Sequence, residues 1–305
     1  MSTLLSKAKI GAQPGARPPA AVEIAPEGVV AAALPGPGQS PVYAFERLPS
    51  GAVIPGIGEP NLRAPEAVTE AIRTALGAVS PRTRAITLVV PDTAVRVFVL
   101  DFDALPAKAA EVYPVLRFRL RKMVPFEAEH AGLSYQVLVE KKNDVKVLAA
   151  VMPAAILAEY EAVVRAAGYE PGAVLPASLA ALESVDSLEA VLIANMSGLA
   201  LTTTIANGQD LLLYRTVELP EDHELRLAEV QRGIAVASAY FEDKLLARPR
   251  LLHYAGDGTA DDFANWIDDP ELRVVDLAPR NGTGAATALG YTSLAATTGA
   301  LAGAR

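Results

Sequence analysis

Twice along the chain, strand-like runs joined by a tight turn give way to an amphipathic helix. This repeated order constrains the fold more than any other feature. In the first half, AVEIAPEGVVAAALP reads as a strand, a turn at Pro26–Gly28 and a second strand, and a short strand follows at Val42–Phe45. RAPEAVTEAIRTALGAV then reads as a helix: Pro65 suits its first turn, and Val68, Ile72, Ala75, Leu76 and Val79 recur at helical spacing on one face. AITLVVP is a short apolar strand of the kind buried in a sheet covered on both sides. In the second half, VLIANMSGLALTTTIANGQDLLLYRTVEL predicts two or three strands, with Asn207-Gly208 as a hairpin signal. A helix from about Glu224 to Leu246 follows, capped by Asp222 and burying Leu227, Val230, Ile234, Phe241 and Leu245. RPRLLHYAG and LRVVDL read as strands around a short helix containing Phe263 and Trp266, and an Ala/Gly/Thr helix closes the chain. There is no short-period repeat. A hairpin-then-helix plan in each half predicts α/β lobes rather than a β-sandwich or a helix bundle.

Between the halves, AVRVFVLDF alternates as a strand, and PAKAAEVYPVLRFRLRKMVPF reads as a helix broken or begun at Pro114. LSYQVLVEKKNDVKVLAAVM is a hairpin with a charged turn, and residues 153–167 form an amphipathic helix ended by Gly168. A length of 305 residues suits about two domains. Residues 1–20 carry Gly, Pro and Lys without apolar periodicity and predict a mobile tail, with no secretory signal. Two charge-free stretches, 190–209 and 281–304, are too rich in Asn, Thr, Gly and Ala for membrane spans and read as buried elements. With 27 Lys and Arg against 35 Asp and Glu, the net charge of −8 disfavours a nucleic-acid binder. No cysteine is present, which removes thiolate chemistry, and His130, His223 and His253 lack metal-site spacing, so no metal site is expected.

Three stretches carry a family resemblance: GAVIPGIGEPNLRAPEAVTEAIRTAL, VVPDTAVRVFVLDFDALP and MVPFEAEHAGLSYQVL. In the last, Pro125, Phe126, Glu127, Glu129, Tyr135, Gln136 and Val137 follow a Pro-Phe, acidic, Tyr-Gln-Val pattern. LAAVMPAAILAEYEAVVRAAGYEPGAVLPASLAAL continues it. Taken in order over residues 21–303, these stretches resemble the PilM family of type IV pilus assembly proteins. The resemblance implies an actin-like (ribonuclease H-like) α/β fold of two lobes around an ATP cleft, with a small inserted α+β subdomain. On this sequence the first lobe would be 21–90 plus 171–186, the insertion 91–170 and the second lobe 187–305. It also implies a cytoplasmic protein at the inner membrane, joined to it only through partners. Those partners would be the N-terminal tail of a PilN-like membrane protein, held in a groove beside the insertion, and other pilus motor and platform proteins.

An actin-like cleft grips phosphates with two hairpin turns that need small residues, free backbone N–H groups and an Asp for the metal or its waters. The resemblance puts Glu23, Ile24, Ala25, Pro26 and Glu27 at the first turn, where the family has Asp-Ile-Gly-Ser-Ser. Pro26 has no N–H, Ala25 adds a methyl group, and Glu27 sets a carboxylate where a hydroxyl should meet a phosphate. At the second turn Asn195, Met196, Ser197 and Gly198 replace Asp-Ile-Gly. ELPEDHELR stands where a Gly-Gly is expected, and Gly256-Asp257-Gly258 is the remnant of a third turn. The expectation is a pseudo-ATPase with no catalytic residue and no cofactor, Mg-ATP being disfavoured. The alternative is an ATP-binding switch of the same fold. A third reading, the related cytoplasmic domain of the type II secretion protein GspL, is disfavoured because this chain ends at Arg305 without a span.

Arg117, Arg119 and Arg121, with Lys122 and Phe126, are the candidate partner-binding residues. They would form an electropositive rim facing an acidic partner or an anionic leaflet; a solvated helix face is the plainer reading. Phe118, Phe126 and Tyr135 could line a peptide groove or serve as core, and the pairs Asp261-Asp262 and Asp268-Asp269 read as helix caps.

Overall fold

The computed structural model describes residues 17–278, apart from 37, 186, 188 and 209, and residues 293–303. Residues 1–16 of the expected tail and 281–292 of the second charge-free stretch lie outside the described residues.

Two five-stranded mixed sheets share one topology. In the first, β1 (Ala20–Ala25) and β2 (Gly28–Ala33) form the expected hairpin, β3 (Val42–Arg47) adds antiparallel to β2, and β4 (Ala85–Val90) and β8 (Glu170–Pro176) run parallel on the other side of β1. In the second, β9 (Ala190–Ser197), β10 (Ala200–Asn207) and β11 (Asp210–Glu218) make the meander, and β12 (Leu251–Tyr254) and β13 (Arg273–Asp276) run parallel beyond β9. The sheet orders are β3-β2-β1-β4-β8 and β11-β10-β9-β12-β13. The repeated plan read from the sequence is therefore a duplicated sheet.

Strand alternation then decides what covers each face. On the outer face of the first sheet, Val22, Ile24, Val29 and Leu88 meet helices α1 (Pro65–Val79) and α3 (Ala154–Ala166). α1 buries the five residues expected of it, with Ala71 as well, and α3 buries Ile156, Tyr160, Val163 and Val164. The inner faces, through Ala21, Ala32 and Val89 on one side and Val191, Ile193 and Ala206 on the other, share one apolar cluster with α4 (Ala177–Leu182) and α7 (Ala295–Ala302). Outside the second sheet lie α5 (His223–Leu245), capped by Asp222, and α6 (Ala260–Ala264). Along α5, Val230, Ile234 and Phe241 are buried as expected, whereas Leu227 and Leu245 are half-buried at its edge.

A third, antiparallel sheet is inserted after β4. It comprises β5 (Arg96–Phe102), β6 (Gly132–Lys141) and β7 (Asp144–Met152), ordered β5-β7-β6, and α2 (Ala109–Leu120) packs on it through Val112, Leu116 and Leu120. α2 neither begins nor breaks at Pro114. It runs through that residue, its sixth, where the missing N–H forfeits the bond to the Ala110 carbonyl.

Packing departs from sequence order in two places. α3, within the 91–170 segment, seats its apolar face on the first-lobe core. α7, within the 187–305 segment, returns to lie against α4, with Gly299 so close to the Ala180 carbonyl that no side chain fits between them. The end of the expected tail is tied down: Arg17 donates to the Gly303 carbonyl and grips the Glu183 carboxylate with both guanidinium nitrogens, and Ala20 already belongs to β1.

Candidate functional site: a filled inter-lobe cleft and an apolar groove

The duplicated hairpins bring their turns face to face. The β1–β2 turn is Pro26-Glu27, because Ala25 pairs directly with Gly28, and the β9–β10 turn is Gly198-Leu199, because Ser197 pairs with Ala200. Gly198 has φ +54°, and a Cβ there would lie 3.1 Å from Pro26 Cγ. The turns thus close on each other, and the proline ring lies against the glycine of the opposing turn. Glu27 Oε2 is buried with no hydrogen-bond partner among the described residues. Gly256 is required by its neighbours: a Cβ would come within 2.4 Å of both Met196 N and Met196 O. The Asp257 amide donates to the Met196 carbonyl at 2.8 Å, so the third turn is bonded to β9. Gly258 leads into α6, whose first turn Thr259 and Asp262 cap reciprocally, as read for the Asp261-Asp262 pair.

Alternation points Glu23 of β1 and Asn195 of β9 inward from the two sheets. Between them sits Asp92, in the short 3-10 turn Asp92–Ala94 that ends β4. Its Oδ1 accepts from the Ser178 amide at 2.9 Å and the Tyr214 hydroxyl at 2.8 Å. Its Oδ2 accepts from the Ser178 hydroxyl and, at 3.3 Å, from Asn195 Nδ2, which also donates to Ser178 Oγ at 3.1 Å. One buried carboxylate thus joins β4, α4, β9 and β11, pinning the lobes together. Burial, then the Asp92 charge and hydrogen bond, hold the Tyr214 hydroxyl protonated well beyond its ordinary range. Burial pushes the Glu23 carboxyl up to about 8, and the charges of Asp257, Asp92 and Glu27 add to the rise.

These features do not fit a magnesium triphosphate. The space left among Glu23, Ala25, Asp92, Asn195 and Ser197 is about 10 Å³, roughly one water, whereas small-ligand sites measure hundreds of Å³. Glu23 and Asp92 line it, the charges of Asp257 and Glu27 also act on Glu23, and like charges about 4 Å apart repel by several-fold more than ~1 kcal/mol next to a protein wall. Ala25 and Pro26 bring a methyl group and a ring to the turn in place of a glycine and an N–H. Among the described residues no three His, Asp or Glu side chains are placed to hold a metal ion. Nothing in the sequence singled out Asp92; the only local signal is a lone acid in VVPDTAV, directly after a buried strand.

The second feature is a groove of about 290 Å³ where the insertion meets the first lobe. Its walls are Leu133 and Ser134 of β6, Met152 of β7, Leu157 of α3, and Val174 and Pro176 of β8. Both β6 and β8 are edge strands, so unpaired backbone groups flank an apolar floor. Among the described residues Glu161 is its one acidic lining residue, and it is paired with Arg165 at 2.9 Å.

The candidate partner residues divide. Arg117 donates to the Ala128 carbonyl and, at 3.1 and 3.2 Å, to that of Ala131, tying α2 to the segment before β6. Phe126 packs half-buried on the insertion's core, and Tyr135 meets Tyr113 edge-to-face at 5.2 Å. Arg119, Arg121 and Lys122 are exposed, as is Phe118.

No family model matches the chain, and no curated protein matches it by sequence. Solved structures do. The structure described as the PilM-PilN type IV pilus biogenesis complex is matched with a TM-score of 0.69 at 17% identity, over 95% of this chain and 100% of that one. The cytoplasmic domain of EpsL, an inner-membrane component of the type II secretion system of Vibrio cholerae, is matched with a TM-score of 0.51 at 12% identity, over 88% and 91%. Among the described residues no helix is long and apolar enough to cross a membrane. The duplicated sheets, the insertion between β4 and β8 of the first and these matches identify the chain's fold as the actin-like fold of PilM.

Proposed function

We propose that the chain is an adaptor of a type IV pilus assembly platform, working at the cytoplasmic face of the inner membrane. It holds the N-terminal tail of a PilN-like membrane protein and passes contacts on to other platform and motor proteins. It carries out no chemistry, and its inter-lobe cleft is a degenerate nucleotide site. The observation that carries this reading is the pairing of an open groove with a filled cleft: the ligand-sized apolar space lies between two free strand edges, while about one water's volume remains between the turns. An extended segment can add main-chain hydrogen bonds at such an edge while its side chains fill the apolar floor. The likeness to a structure described as a PilM-PilN complex supports the choice of partner. The net charge of −8 speaks against a nucleic-acid partner.

The test is titration of a peptide copying the tail of the cognate membrane protein into the full chain. Saturable binding, lost in Leu133→Asp and Val174→Asp, is the expected result. Binding unchanged by both substitutions would place the partner elsewhere.

A further inference from the structure

Arg119, Arg121 and Lys122 crowd one short exposed stretch of the surface. Among the described residues they form no ion pair, whereas Arg63, Arg73, Arg165, Arg232 and Arg248 are each held by a neighbouring acid. They occupy the last turn of α2 and the turn after it, where Val124 N still donates to the Leu120 carbonyl. Two large apolar side chains sit among them, Phe118 at 64% exposure and Met123 at 42%. The Arg121 guanidinium lies 5.4 Å from the Phe118 ring centroid. Leu116, Leu120 and Val124, buried on the other side, and Arg117, bonded to the 128–131 carbonyls, fix the stretch to the insertion. A chain of net charge −8 therefore presents, over six residues, a local field opposite to its own.

We propose that residues 118–123 are a docking patch for the surface of an anionic bilayer. Phe118 and Met123 enter the boundary between headgroups and acyl chains, and the three cations meet lipid phosphates. None of the grooves described above is lined by these residues, and the exposed acids Glu127 and Glu129 confine the positive field to the helix end. That leaves a footprint for a few headgroups rather than a track for an acidic peptide. The chain leads from the patch through the turns of residues 124–131 to Gly132, where β6 starts to line the groove. Given the adaptor reading, on which this orientation rests, the patch turns the groove towards the membrane from which the tail emerges. The patch alone binds weakly, and a tail held at the same surface raises its effective concentration.

The experiment is co-sedimentation of the full chain with vesicles of phosphatidylglycerol and phosphatidylcholine, against vesicles of phosphatidylcholine alone. Partition into the anionic vesicles only, abolished by high salt, is expected. Each cation contributes roughly fivefold, so Arg119→Gln with Arg121→Gln lowers partition about 25-fold. Phe118→Ser lowers it further, whereas Arg63→Gln with Arg73→Gln, which removes the same net charge elsewhere, leaves it unchanged. All three variants melt at the wild-type temperature, and the patch variant titrates the tail peptide like wild type. Equal partition into neutral vesicles, no partition at all, equal loss in the control variant, or tighter capture of a polyglutamate peptide by the same residues overturns the proposal. The tail titration fails independently if the groove reading is wrong.

Discussion

Replacing Glu23 by Gln should stabilise the protein, by an amount that depends on pH. Burial, with Asp257, Asp92 and Glu27 adding to it, lifts the Glu23 carboxyl from 4.5 to about 8. In the unfolded chain it returns to its ordinary value. Between those two pH values the folded protein holds a proton that the unfolded chain has released. The native state is therefore fully favoured below about pH 4.5 and loses stability as pH rises to about 8. At about 1.36 kcal/mol per pH unit, the loss reaches about 3 kcal/mol at pH 7 and about 5 kcal/mol above pH 8. Glu23 retains some accessible surface, so these values are upper bounds. Glutamine keeps the shape and has no proton to lose. Urea unfolding of wild type and Glu23→Gln across this range should give curves that converge near the acidic end and separate by about 1–3 kcal/mol at pH 7, with the variant more stable. Parallel curves, or a variant less stable at pH 8, would show that the cleft carboxylates are not crowded as described.

Two further substitutions test the supports of the cleft. Asp92→Ala removes the acceptor shared by Ser178, Asn195 and Tyr214 and should cost about 3–5 kcal/mol by chemical unfolding, with Asp92→Asn losing less. A loss under about 1 kcal/mol would mean that the lobes are held by apolar packing alone. Arg17→Ala strands a Glu183 side chain that is 1% exposed. Burial already raises that carboxyl and Arg17 opposes the rise, so the variant should lose roughly 3 kcal/mol at neutral pH. It should recover part of that on acidification or in the double variant with Glu183→Gln; equal loss at all pH values would contradict the pairing.

The sequence was most informative where structure is local. The faces of α1 and α3, the Asp222 cap and the Asn207-Gly208 turn, where Gly208 has φ +57°, follow from spacing and turn chemistry that a few neighbouring residues determine. The duplicated hairpins were visible for the same reason. The Asp92 knot was not, because its partners lie 86, 103 and 122 residues away and no local pattern reports that meeting. Helix α7 was legible as an element but not as part of the cluster shared by the two inner sheet faces, since its Ala, Gly and Thr residues give almost no directional signal and contact with α4 fixes its place. The departures at Pro26 and Glu27 could be read in the sequence; that the Pro26 ring lies against Gly198 of the opposing turn could not. Arg117 looked like its neighbours until the Ala128 and Ala131 carbonyls came into reach.

The central claim is that proteins, not nucleotides, are the ligands of this fold here. Isothermal titration of Mg-ATP into the purified full chain tests it most directly. The account predicts no saturable heat, because Pro26, Glu27 and Asn195 offer a triphosphate neither donors nor room; low-micromolar binding would contradict it.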